Sequence, residues 1–179
     1  MNLYFRLFCI FIVSMFKSKK SIFDEHESSF RVYLNDLDLL FHMNNGRYFT
    51  IADLARYEMI KRSGLLLKLH KQKIFSVMAA ETMQFRKPLF LFQRFKIKTR
   101  LVGWDHRFFY LEHKFVSKKG IHNIAFVKII FLGKNGERPK PSEILELIDI
   151  KVPQMKNSKV VKKWNDSLDI HWEEHKGAK

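Results

Sequence analysis

From Arg94 to Val102 the chain alternates almost without exception, with Phe95, Ile97, Thr99 and Leu101 set against Arg94, Lys96, Lys98 and Arg100. Successive side chains of a strand point to opposite faces, so this run predicts a strand with one dry face and one wet, basic face. A dry sheet face must be covered by another element. The stretch from about Asn45 to Ser63 suits that role, because Tyr48, Ile51, Ala52, Ala55 and Met59 fall on one helical face, with Arg47, Thr50, Asp53 and Lys61 largely elsewhere. Gly64 follows as the stop.

Other strands complete the sheet. Phe30, Val32 and Leu34 alternate with Arg31 and Tyr33, and Phe75 to Arg86 is an extended run ended by Lys87 and Pro88. Phe108 to Ser117 and Ile121 to Leu132 read as two strands joined through Lys118, Lys119 and Gly120 as a hairpin turn. Pro141 and Ser142 open a short helix through Ile148. The expected class is α+β, one long helix against a strongly curved antiparallel sheet.

Length and charge narrow the function classes. A chain of 179 residues, 46% hydrophobic with 18 Phe, can bury a single core. The single cysteine, Cys9, cannot form an intrachain disulfide, and no cysteine or histidine cluster has zinc spacing, so no metal is expected and a reducing, cytoplasmic setting is the simpler reading. The net charge of +15 lies mainly in the folded body and suits nucleic acid, anionic lipid or a phosphorylated ligand. No helix-turn-helix, RNP or zinc-finger signature accompanies it, which disfavours nucleic acid.

The N-terminus reads as a separate segment, 1–28, ahead of a domain at 29–148 and a polar tail at 149–179. Leu3 to Phe16 is apolar apart from Arg6 and Ser14, with Lys17, Lys19 and Lys20 behind it. It is short of the ~20 apolar residues of a standard bilayer crossing. It also lacks an A-x-A cleavage site. Residues 1–20 are therefore expected either to touch a membrane surface or to pack on the domain or its dimer partner. In the tail, Trp164 and Trp172 are the candidate docking residues.

The chemistry-bearing stretch is D-L-D-L-L-F-H-M-N-N-G-R-Y, Asp36 to Tyr48, which delivers carboxylates to the electropositive start of the helix. Asp38 is either a nucleophile or general base, or else a turn aspartate. Asp36, two residues away on an extended loop, points the other way and is expected to be structural. His42 is an acid, base or donor, or a satisfied loop group. Asn44 and Asn45 are good N-cap residues, and the backbone N–H near Asn45 could polarise a carbonyl oxygen. Tyr48 suits the core by periodicity, with substrate contact as the alternative. Glu58 either borders a pocket or stands on the helix surface. Arg94, Lys96, Lys98 and Arg100 suit phosphates, or form a solvated strand face. No P-loop and no G-x-S-x-G elbow occurs.

D-x-x-x-H-x-N-N-x-x-Y resembles the loop and helix start of hotdog-fold acyl-CoA thioesterases of the 4-hydroxybenzoyl-CoA thioesterase type. Similarity extends through R-S-G-L-L and T-R-L-V-G-W-D-H-R-F-F-Y-L-E, covering roughly Phe30 to Ile148. The resemblance implies a hotdog fold, a homodimer or higher oligomer with sheets paired edge to edge, and active sites at the dimer interface. It implies an acyl-CoA or other acyl thioester substrate hydrolysed to free acid and CoA, with no cofactor beyond the CoA of the substrate. Asp38 matches the family's catalytic aspartate. Substrate contacts are then expected from Asn44, Tyr48, Glu58 and the basic row. The alternative is a noncatalytic acyl-binding or membrane-associated module on the same fold.

Overall fold

The computed structural model describes residues 3–149 and 158–176, so much of the first half of the polar tail lies outside the described residues. Five strands, β1 (His26–Arg31), β2 (Phe75–Phe85), β3 (Arg94–Trp104), β4 (Phe109–Ser117) and β5 (Gly120–Leu132), form one antiparallel sheet in the order β1-β3-β4-β5-β2. Register shifts at Met78/Ala80, Leu101/Gly103 and Phe115/Val116 mark bulges, which bend strands. Around them are α1 (Leu3–Met15), α2 (Asn45–Arg62), α3 (Leu65–Lys71), α4 (Pro141–Glu146) and α5 (Lys159–His175). This is the hotdog arrangement, with α2 as the filling.

The apolar face of α2 divides the core in two. Tyr48, Ile51, Ala52 and Ala55 pack with Phe95, Ile97 and Phe115, while Met59 and Ile60 pack with Leu101, Phe109, Leu111, Val127 and Phe131. Buried Thr99 and His113 are partners across β3 and β4, and the Thr99 hydroxyl lies 2.9 Å from His113 Nδ1. Burial, with Arg56 nearby, lowers the His113 pKa to about 3. The folded state thus refuses a proton that the unfolded chain accepts below about 6.5. Stability should be full above that pH and fall as pH drops toward 3, by up to ~1.4 kcal/mol per pH unit from this residue. Urea unfolding at several pH values should show a shallower acid limb in His113→Gln; an unchanged limb would rule His113 out as its source.

Several elements depart from the sequence reading. The first strand ends at Arg31, and Leu34–Asp36 forms a 3-10 turn with Leu34 exposed, because the chain turns here to bury Asp36. Gly64 takes a left-handed φ of 80° and is at once followed by α3, whose Leu65 and Leu69 are buried. In the tail, Val161 is buried and Asn165 donates to the Tyr110 hydroxyl at 2.6 Å, whereas Trp172 is exposed.

The N-terminal segment is stitched into the domain. Helix α1 packs on α2, and β1 already begins at His26. The polar side chains of α1 face inward: Arg6 reaches the Asp36 carboxylate and Ser14 is buried. Just beyond it, Lys17 binds Glu58 at 2.7 Å. Many apolar side chains of α1, among them Phe5, Phe8, Ile12 and Met15, are exposed, while Leu3, Leu7 and Ile10 are half-buried. Among the described residues, no helix is long and apolar enough to cross a membrane.

Candidate active site

The segment from Asp36 to Asn45 folds as a small hairpin ahead of α2. Leu37 bridges to Met43, the Asp38 N–H donates to the His42 carbonyl at 2.9 Å, and the Phe41 N–H donates to the Asp38 carbonyl at 3.1 Å. Phe41 closes the turn with φ of 58°, a conformation few bulky residues adopt. The hairpin is fixed from behind by the Met43 N–H on the Leu89 carbonyl at 2.8 Å and by a His42 to Phe90 bridge.

Asp38 stands at the tip. Its Oδ1 accepts the Leu40 N–H at 2.9 Å, and its Oδ2 lies 3.2 Å from His42 Nδ1. The two side chains are 23% and 29% exposed, open enough for a ligand and confined enough to keep a geometry. Asn44 caps α2 by accepting the Gly46 N–H at 2.9 Å. Asn45 is therefore the first helical residue, and N–H groups of a first turn have no intrahelical acceptor. Tyr48 is buried edge-on against Phe85 and Phe115, and its hydroxyl accepts the Leu89 N–H at 3.2 Å. Burial pushes its pKa up, so it stays a neutral phenol.

Two concavities flank this hairpin. One, of about 250 Å³, is lined by His42, Asn45, Tyr48, Phe85, Lys87 and Pro88 among others. The other is an open apolar surface bearing Asp38, Leu39, Leu40, Phe41, Asn44 and Leu91. The structure thus brings Asp38, His42, Asn44, Asn45 and Tyr48 together.

Glu58 does not join them. It lies thirteen residues beyond Asn45, roughly 20 Å along α2 at 1.5 Å per residue. It is also buried rather than on the helix surface, with one oxygen on Lys17 and the other accepting the Ser28 hydroxyl at 2.6 Å. Both carboxylate oxygens are engaged inside the protein, which corrects the pocket-bordering expectation. The basic row is also largely paired. Lys96 meets Glu27 at 2.6 Å, Lys98 meets Glu25 at 3.2 Å and Arg100 meets Glu112 at 2.7 Å, the pattern of a charge-matched outer face. Arg94 stands apart from that pairing.

Asp36 is the anchor of the hairpin. It is fully buried, accepts from Arg6, from Arg47 Nε at 3.1 Å and Nη2 at 3.0 Å, and from the Tyr33 N–H at 2.9 Å. Its own carbonyl accepts the Asn44 N–H at 2.8 Å. Arg6 and Arg47 are not legible as its partners in the sequence, although a single arginine inside an apolar segment is itself a signal that a buried acid awaits it.

Residues 32–153 match the Thioesterase-like superfamily. Protein THEM6 of Xenopus laevis is 45% identical over 100 residues, covering 56% of this chain and 48% of that protein. The chain spans about half the length of the curated relatives it matches. YbaW, a probable thioesterase from Escherichia coli, superposes with a TM-score of 0.63 at 19% identity, covering 69% of this chain and 98% of that one. SAV2348 from Staphylococcus aureus, solved in complex with CoA, superposes with a TM-score of 0.63 at 16% identity, covering 76% and 94%. With the family match spanning more than half of the sequence and the sheet-wrapped helix in place, the chain belongs to the thioesterase-like superfamily and carries its hotdog fold.

Proposed function

We propose that this protein hydrolyses acyl-CoA or a related acyl thioester to free acid and thiol, with Asp38 as the reacting carboxylate. The observation that carries the reading is a partly exposed carboxylate at the tip of a hairpin that leads directly into the open N-terminus of α2. Asp38 either attacks the thioester carbonyl, expelling the CoA thiolate to leave an anhydride that water then opens, or takes a proton from the water that attacks. The developing oxyanion is met by the first-turn N–H of Asn45 and the positive end of the helix. His42, 3.2 Å from the carboxylate, orients it and can return a proton to the leaving thiolate. CoA bound to SAV2348, a protein of the same fold, supports the substrate class. Turnover of an acyl-CoA panel by wild type and by Asp38→Ala tests it. Binding without turnover in wild type would leave a noncatalytic acyl-binding module instead.

The partner we propose is a second copy. Strand β2 is a sheet edge eleven residues long, with Phe75, Val77 and Phe85 exposed, and such an edge invites pairing. Sedimentation at micromolar concentration should give a dimer or larger. A monodisperse, active monomer would remove this reading.

A membrane surface is the proposed neighbour of α1, whose outward apolar side is costly in water. Phe8→Ser with Met15→Ser, which leaves Arg6 and Lys17 in place, should lower sedimentation with lipid vesicles several-fold. Equal sedimentation of variant and wild type would refute it. Simple removal of residues 1–20 is a poorer test, because it also strips partners from Asp36 and Glu58.

A further inference from the structure

We infer that the pocket between α1 and the outer strand β1 binds a phosphate group. The cavity, about 380 Å³, is lined by Arg6, Ser29, Arg31, Tyr33 and Arg94 together with apolar neighbours, and none of its lining residues is acidic. Arg6 is matched by Asp36, whereas Arg31 and Arg94 bring two further guanidinium groups to a concavity with no carboxylate in its wall.

Arg31 and Arg94 sit directly opposite each other on β1 and β3. Like charges in that position repel and cost stability. The neighbouring outward lysines on β3 are matched instead, Lys96 with Glu27 and Lys98 with Glu25. Neither Arg31 nor Arg94 forms an ion pair with a carboxylate among the described residues. Arg6 forms the inner wall. It is only 3% exposed, gives Nη2 to Asp36 and lies over the Tyr33 ring, 5.1 Å from its centroid, while among the described residues its Nε and Nη1 have no hydrogen-bond partner. Buried donors left unpaired are destabilising, and because these two are closed off from solvent, an anion in the pocket engages them only with a shift of the Arg6 side chain.

The chemistry selects phosphate. Guanidinium groups bind phosphate oxygens through paired N–H donors, and a tetrahedral anion can accept from three directions where a carboxylate offers two oxygens. Ser29 and Tyr33, which also line the cavity, each carry a hydroxyl. The cavity has more room than a bare phosphate needs, so the phosphate belongs to a larger molecule. A phospholipid headgroup and a soluble phosphate ester share this chemistry. The exposed apolar side of α1, the helix that forms one wall, favours the headgroup.

The experiment uses the full chain and three probes: inorganic phosphate, CoA, and phosphatidylcholine vesicles with or without phosphatidic acid. Phosphate should raise Tm relative to chloride at equal ionic strength, since a ligand that binds only the folded state stabilises it by mass action. Arg31→Gln with Arg94→Gln should weaken binding of the preferred probe at least tenfold. In chloride its Tm should equal or exceed that of wild type, because the repulsion is gone, whereas arginines with a merely structural role would lower Tm when replaced. Arg31→Lys with Arg94→Lys should keep part of the binding. If the double Gln variant fails to fold, the single variants are read in the same way. Preference for phosphatidic acid vesicles assigns a lipid source, and preference for CoA a soluble one. Absence of binding to all three probes, or binding undiminished in the Gln variants, overturns the site. None of these readouts needs turnover, so loss of the thioesterase reading would leave this one separately decided.

Discussion

Asp38→Asn should lower kcat for acyl-CoA hydrolysis by ~10²-fold or more, with KM and Tm nearly unchanged. The carboxamide keeps the size of the side chain and an oxygen for the Leu40 N–H, so the hairpin tip is retained. What it loses is the charge that attacks the carbonyl or takes the proton from water. Because Asp38 is partly exposed and its neighbour His42 is as well, the substitution leaves no uncompensated buried charge behind. The effect should therefore appear in the chemical step rather than in folding. Steady-state kinetics beside thermal unfolding separate the two, and an unchanged kcat would take Asp38 out of the mechanism altogether.

The same hairpin shows what a sequence can and cannot disclose. The candidate site is legible because it is contiguous: Asp38 to Tyr48 lie within one turn and one helix start, where local capping and turn chemistry decide the geometry. The four strands from Phe75 to Leu132 are legible for a similar reason, since alternation repeats at every residue. Glu58 is misplaced by its sequence pattern because helical spacing fixes a direction and not what lies there, and Lys17 and Ser28 come from other parts of the chain. The basic row does form one face of β3, but the opposing Glu25 and Glu27 follow from the β1–β3 register, a nonlocal fact. Helix α1 reads in the sequence as an apolar segment with an odd arginine. That its polar side turns inward follows from Asp36, thirty residues away, and no local pattern carries that information.

Asp36→Ala should cost about 3–5 kcal/mol of stability, the usual effect of removing one partner from a buried ion pair. The carboxylate is fully buried and serves Arg6, Arg47 and the Tyr33 N–H at once. Arg47 is 24% exposed and can turn toward water, but Arg6 is 3% exposed and loses the one hydrogen-bond acceptor it has among the described residues. Asp36→Asn retains an acceptor without the charge and should fall between. Urea unfolding gives the loss directly, and Arg6→Met with Asp36→Ala should cost less than the two single changes added together, because the second change removes the stranded charge. A loss under about 1 kcal/mol in Asp36→Ala would mean that Arg6 escapes to solvent cheaply. Helix α1 would then be a loosely docked element, and the hairpin that presents Asp38 would owe its shape to Arg47, the Asn44 to Asp36 backbone bond and the Met43 to Leu89 backbone bond.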